Sequence, residues 1–151
     1  MIISNLNYLN NTKNKLRYLK EFKQILDLIA LGEGLNYNFT IDLTLIEAEE
    51  MRTNCLEFKN KDYIADVLSF PSKIQLFDYE EETFFIGEIL MCPSQIYEQA
   101  KNFGHTNKRE FCYMFAHSVF HLLGYDHIKP NEEIRMHNKI EEIMQKLQIS
   151  R

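Results

Sequence analysis

Residues 107–127 read Asn-Lys-Arg-Glu-Phe-Cys-Tyr-Met-Phe-Ala-His117-Ser-Val-Phe-His121-Leu-Leu-Gly124-Tyr-Asp126-His127. Asn107 with Glu110 three residues later resembles a capping box, which predicts a helix from there to Leu123. Phe111, Tyr113, Met114, Phe115, Val119, Phe120, Leu122 and Leu123 make that helix apolar almost all round. Such a helix belongs in the middle of a domain, covered by the rest of the chain.

Histidines at 117 and 121 project from one face, because positions four apart stack along a helix. Gly124 suits the left-handed conformation that stops a helix, so His127 can swing back beneath the other two. Three neutral imidazoles converging at ~2.0–2.1 Å, with a fourth position for water, form an open catalytic zinc site. The expectation is one Zn2+ per chain held by His117, His121 and His127; imidazole sites also suit nickel, copper and iron. A lone histidine on a buried helix is usually a satisfied core residue. Two at this spacing each bring a polar nitrogen that needs a partner, and a third follows the glycine stop. His105 and His137 lack the spacing and read as surface or helix-face residues; for His105, just before the metal helix, a cleft role stays open.

The same spacing occurs in the metzincin pattern H-E-x-x-H-x-x-G-x-x-H. The general-base glutamate of that pattern is replaced by Ser118. A serine hydroxyl cannot act as that base near neutral pH, which counts against peptidase activity.

Working outward, Leu16, Leu19, Phe22, Leu26 and Ile29 recur at helical steps and predict a helix over 12–30, broken by Gly32 and Gly34. Phe39, Ile41, Leu43 and Leu45 alternate with polar residues as in a half-buried strand. A helix is expected over 47–58, a short strand over 66–70 closed by Pro71, and a strand over 84–91 containing Gly87. Ser94 is a candidate N-cap for a helix ending at Phe103. An amphipathic helix is expected over about 131–147, with Met136, Ile140, Ile143 and Leu147 on one face. Strands mixed with helices imply an α+β fold: one domain over 1–151, a small mixed β-sheet with helices packed on it, and the metal-binding helix central.

The 151 residues suit a single domain with its own core. No apolar run approaches the ~20 residues of a membrane helix, and the start lacks the features of a secretory signal. Cys55, Cys92 and Cys112 are scattered and odd in number, so they read as reduced thiols filling the core of a cytoplasmic protein. The formal net charge of −5 counts against a wholly basic nucleic-acid-binding surface.

The 117–127 segment resembles the signature of the YbeY family, H-G-x-L-H-L-x-G-Y-D-H, with Ser118 for a glycine and Phe120 for a leucine. Asp66-Val67-Leu68-Ser69-Phe70-Pro71 is similar to the family's D-V-L-S-F-P strand, with Ala65 where a threonine is usual. Gly87-Glu88-Ile89 resembles its G-D-I strand, and Arg109-Glu110 its R-E pair. The resemblance runs in order over about residues 35–145. It implies a zinc-dependent, single-strand-specific endoribonuclease that matures the 3′ end of small-subunit (16S) ribosomal RNA and serves ribosome quality control in the bacterial cytoplasm. It further implies that Lys59 occupies the place of an active-site arginine, and that Glu88 stands where the family contacts a small-subunit ribosomal protein. Lys keeps the charge of that arginine but loses its planar fork.

Candidate phosphate contacts are Lys59, Lys61, Lys73, Lys101, Lys108 and Arg109, with a stripe of Lys13, Lys15, Arg17, Lys20 and Lys23 on the first helix. Asp126 is a candidate to orient a ligating histidine or to stabilise the turn before His127. Two other readings stay open: a zincin-like hydrolase acting on peptides or small molecules, and a non-catalytic ribosome assembly factor with structural zinc. Against the second, structural zinc sites are usually closed by four protein ligands.

Overall fold

The structure is a computed structural model that describes residues 2–72, 83–126 and 128–149. The elements run β1 (Ser4–Asn10), α1 (Leu19–Gly32), β2 (Asn38–Leu45), α2 (Ala48–Lys59), β3 (Val67–Pro71), β4 (Thr83–Met91), α3 (Pro93–Phe103), α4 (Asn107–Leu122) and α5 (Pro130–Lys146). The four strands form one sheet in the order β1-β2-β4-β3. β1, β2 and β4 are parallel, and β3 lies antiparallel to β4. This is the α+β arrangement expected, with a mixed sheet.

Alternation in β2 buries Phe39, Ile41, Leu43 and Leu45 against the main core. Ile89 and Met91 of β4 join them, while Leu90 points to the opposite face. There it meets Leu68 and, from α2, Met51 and Cys55 in a smaller cluster. α4 touches α1, α3, α5, β3 and β4, so it is the central helix its composition called for. The Phe22 and Phe115 rings stack at 4.3 Å between α1 and α4.

Three local expectations are corrected. β1 was not anticipated: its Asn-rich sequence has poor strand propensity, yet it pairs along the sheet edge with Leu6 and Tyr8 against the core. α1 begins at Leu19, not Thr12. Thr12 N–H donates to Asn10 Oδ1 at 2.9 Å, and Asn14 N–H donates to Thr12 Oγ1 at 3.1 Å. These local bonds offer the backbone an alternative to the helix, and with them the cationic stripe loses Lys13, Lys15 and Arg17. The helix caps also shift by one or two residues. Thr106, not Asn107, caps α4 by accepting from Arg109 N–H, and Cys92 rather than Ser94 precedes α3.

Candidate metal centre and its cleft

Within α4, every residue from Arg109 to Leu122 is buried except Tyr113, Met114, His117 and His121. These four form one narrow stripe, one above another at steps of three and four. The central helix therefore opens to solvent along a single seam, and both histidines lie in it.

The Nε2 atoms of His117 and His121 face one another at 2.9 Å. His121 Nδ1 lies 2.8 Å from the carbonyl oxygen of Tyr125. A carbonyl can only accept, so Nδ1 carries a proton, and in the neutral ring Nε2 of His121 keeps its lone pair. That is the tautomer a metal needs, held by a backbone partner in the manner usual for ligating histidines. Two nitrogens on a tetrahedral zinc stand about 3.3 Å apart for Zn–N bonds of ~2.0–2.1 Å. A separation of 2.9 Å thus fits after a small spreading of the rings. His127, the third expected ligand, lies outside the described residues. Among the described residues there is no group of three potential ligands.

Gly124 has φ +99°, the helix stop its position called for. Tyr125 then packs on Phe120 at 5.1 Å, and its hydroxyl donates to Glu33 at the end of α1. Glu33 also accepts from Lys139 of α5 at 2.6 Å. Asp126 accepts from Ile128 N–H at 2.9 Å, a turn-stabilising bond. Ser118 is buried and donates to Met114 carbonyl oxygen at 2.9 Å. Its hydroxyl is therefore turned into the helix, away from the seam.

His117 and His121 form one wall of a cleft of ≈ 520 Å³; Lys59, Lys61, Asp66 and Ser69 line the rest. Lys59 is the last residue of α2, and Asn60 after it turns in the left-handed region at φ 56°. The end of α2 and the strand β3 thus bring Lys59 into the same cleft as the histidine pair. Asp66, at the start of the Asp66–Pro71 motif, also lines this cleft. Burial pushes its carboxyl above the ordinary range, partly offset by hydrogen bonds from Val67 N–H and the Gln99 side chain. Its carbonyl accepts from Cys92 N–H at 2.8 Å, so it ties β3 to the start of α3.

Other candidates fall elsewhere. Arg109 is buried and paired with Glu141, so it is no phosphate contact. Lys73 lies outside the described residues. Glu88 pairs with Asp42 across the sheet, and burial followed by that neighbouring carboxylate raises its pKa. It does not line the cleft. His105 bonds Glu110 at 3.0 Å and His137 bonds the Tyr113 hydroxyl at 2.6 Å, both beside the seam rather than simply on the surface. The three cysteines are buried and free.

A protein from Thermotoga maritima solved in solution has the same fold, with TM-score 0.62 and 24% identity over 95% of this chain and 91% of that one. Proteins named endoribonuclease YbeY match nearly end to end. That of Mycoplasma mobile is 41% identical over 98% of this chain and 97% of its own length. That of Mesomycoplasma hyopneumoniae strain 7448 is 40% identical over 97% of each. The family model described as endoribonuclease YbeY matches residues 5–148. The chain belongs to the YbeY family.

Proposed function

We propose that this protein is a metal-dependent endoribonuclease that cleaves single-stranded RNA in the cleft between Lys59 and the histidine seam. The observation that carries the reading is the pair of Nε2 atoms facing each other at 2.9 Å in a cleft that also holds Lys59. The names of the relatives point the same way.

The metal in this reading is zinc, which His117, His121 and His127 would hold. When bound it supplies Lewis-acid chemistry, offsetting charge on a phosphate oxygen and lowering the pKa of water. The protein's own groups do the rest. Lys59 offers a second positive charge to the phosphate, and the Tyr125 carbonyl keeps His121 in its ligating tautomer. Bond cleavage is a hydrolysis at phosphorus: the oxygen of a water forms a new P–O bond and gives its proton to solvent, while the bond to the leaving ribose oxygen breaks and that oxygen takes up a proton from solvent.

The cellular substrate in this reading is the 3′ region of 16S ribosomal RNA, processed in the cytoplasm as part of ribosome maturation and quality control. Glu88 would meet a small-subunit ribosomal protein from the sheet. No helix among the described residues is long and apolar enough to cross a membrane. The peptidase alternative finds no general base at Ser118, whose hydroxyl is occupied by Met114.

The test is cleavage of single-stranded RNA by untagged protein, with elemental analysis of the same preparation. The expected result is one zinc per chain and cleavage lost in His121→Ala. Equal cleavage by the variant removes the histidine seam from the reaction.

A further inference from the structure

The seam of α4 does not end at the histidines. One turn before His117, about 6 Å along the axis, it continues as Tyr113 and Met114. These two line a second cavity of ≈ 300 Å³ with Phe103, His137 and Gln99. Met114 borders both this cavity and the Lys59 cleft, so the two adjoin. A third hollow of ≈ 370 Å³ adjoins both, sharing His117 with the cleft and Tyr113 and His137 with the cavity.

The two ends of this groove differ in chemistry. The Lys59 end is polar, with two lysines at its rim. The far end is walled by rings. Phe103 is 65% exposed although it closes α3 beside a cavity that could have buried it. Its ring lies 6.0 Å from that of His105, which also lines the cavity. Tyr113 is fixed in place, with the Arg109 guanidinium 5.1 Å over its ring and His137 bonded to its hydroxyl. Met114, unbranched and polarizable, lets the junction adapt to different shapes.

We infer that the Phe103–Tyr113–His137 cavity is a nucleobase seat, which takes a base of the RNA strand flanking the phosphate held at Lys59. This rests on the endoribonuclease reading and adds to it the part of the substrate that is gripped. A flat, π-faced ligand matches a wall of rings, and stacking tolerates any base sequence. It selects single strands, because a base within a duplex is already stacked and cannot enter. It also resolves how a chain of net charge −5 holds a polyanion: stacking supplies affinity that a general positive surface would otherwise have to supply.

The test compares Phe103→Ala and Phe103→Tyr with the parent protein. Binding of a labelled single-stranded RNA of about ten nucleotides is followed by fluorescence anisotropy, beside a ribose-phosphate chain of equal length without bases. Phe103→Ala should weaken RNA binding about tenfold, the factor a stacked base contributes, while the base-free chain binds both proteins alike. Phe103→Tyr should bind RNA as the parent does. Equal RNA binding by parent and Phe103→Ala overturns the seat, and so does an equal loss on the base-free chain. Cleavage by the parent is scored separately. RNA that binds through Phe103 without being cut would overturn the nuclease reading and leave the seat standing.

Discussion

The ring of His121 is oriented by Tyr125, whose carbonyl oxygen lies 2.8 Å from His121 Nδ1. Tyr125 is in turn anchored through its hydroxyl to Glu33, which Lys139 also binds. The end of α1 and the middle of α5 therefore hold the loop that follows the helix stop. Burial works to raise the Glu33 pKa, but hydrogen bonds from Lys139 and Tyr125 outweigh it and hold the carboxyl below its usual range. A depressed pKa gives stability that is complete above the unfolded value, about 4.3, and is lost as pH falls through the folded one. Glu33→Gln should thus cost about 1.5–3 kcal/mol at neutral pH, the range for hydrogen bonds to a charged group. The gap from the parent should close as pH drops below about 4.3. Denaturant melts at a series of pH values measure it; a gap that stays constant down to pH 3 refutes the ionic anchor.

Much of this site was legible in the sequence, because helical spacing and a glycine stop are local. His117, His121 and Gly124 need only the geometry of one helix end to be placed. Lys59 came from resemblance alone, since nothing local links the end of α2 to α4; β3 brings them together. The anchor of Tyr125 on Glu33 spans 92 positions and has no sequence signal. β1 was hidden for another reason. Its apolar alternation, Leu6 with Tyr8, is short and interleaved with asparagines that favour turns. The stripe at 113–114 was concealed by its own composition: Tyr and Met look like core, and only the packing shows which side of an apolar helix stays open.

Gly87 sits where β4 passes β3. A Cβ there would lie 2.5 Å from the Phe70 carbonyl oxygen, 2.8 Å from Leu122 Cδ2 and 3.1 Å from Pro71 Cα. The first and last are backbone atoms that cannot step aside without moving β3. Gly87→Ala should therefore destabilise by about 1–3 kcal/mol, the usual cost of overpacking. At ~2–4 °C per kcal/mol for a chain of this size, thermal melting should show it clearly. Because Val67, Ser69 and Pro71 of β3 line the cleft, RNA cleavage should fall more than stability alone explains. An unchanged melting temperature would mean that β3 is free to shift.

Cys112 is fully buried, and that burial pushes its thiol up to about 12. Cys55 and Cys92 are equally enclosed. Since the thiolate is the reactive form, native protein should give almost no reaction with a disulfide reagent at pH 8, and all three thiols should react in guanidinium. One fast thiol in the native protein would contradict the packing of α2, of α4 or of the start of α3, where Cys92 lies.

Lys59 tests the phosphate end of the groove, independently of the rings. Its exposed side chain has little core to disturb, so Lys59→Ala should leave stability within ~0.5 kcal/mol, as surface changes do. Its effect should appear in the salt dependence of RNA binding. A lysine that neutralises one phosphate releases counterion, with a slope contribution of about −0.7 in log affinity against log salt for single strands. Lys59→Ala should shallow the slope by about that amount and weaken binding at low salt, where screening is least. Lys59→Arg should restore the slope and strengthen binding, because the guanidinium meets phosphate with two parallel donors. The base-free chain should report the same loss as RNA, the reverse of its behaviour with Phe103→Ala. An alanine variant with an unaltered slope would show that Lys59 lines the cleft without touching phosphate, and would shift the charge contact to Lys61 on the same rim.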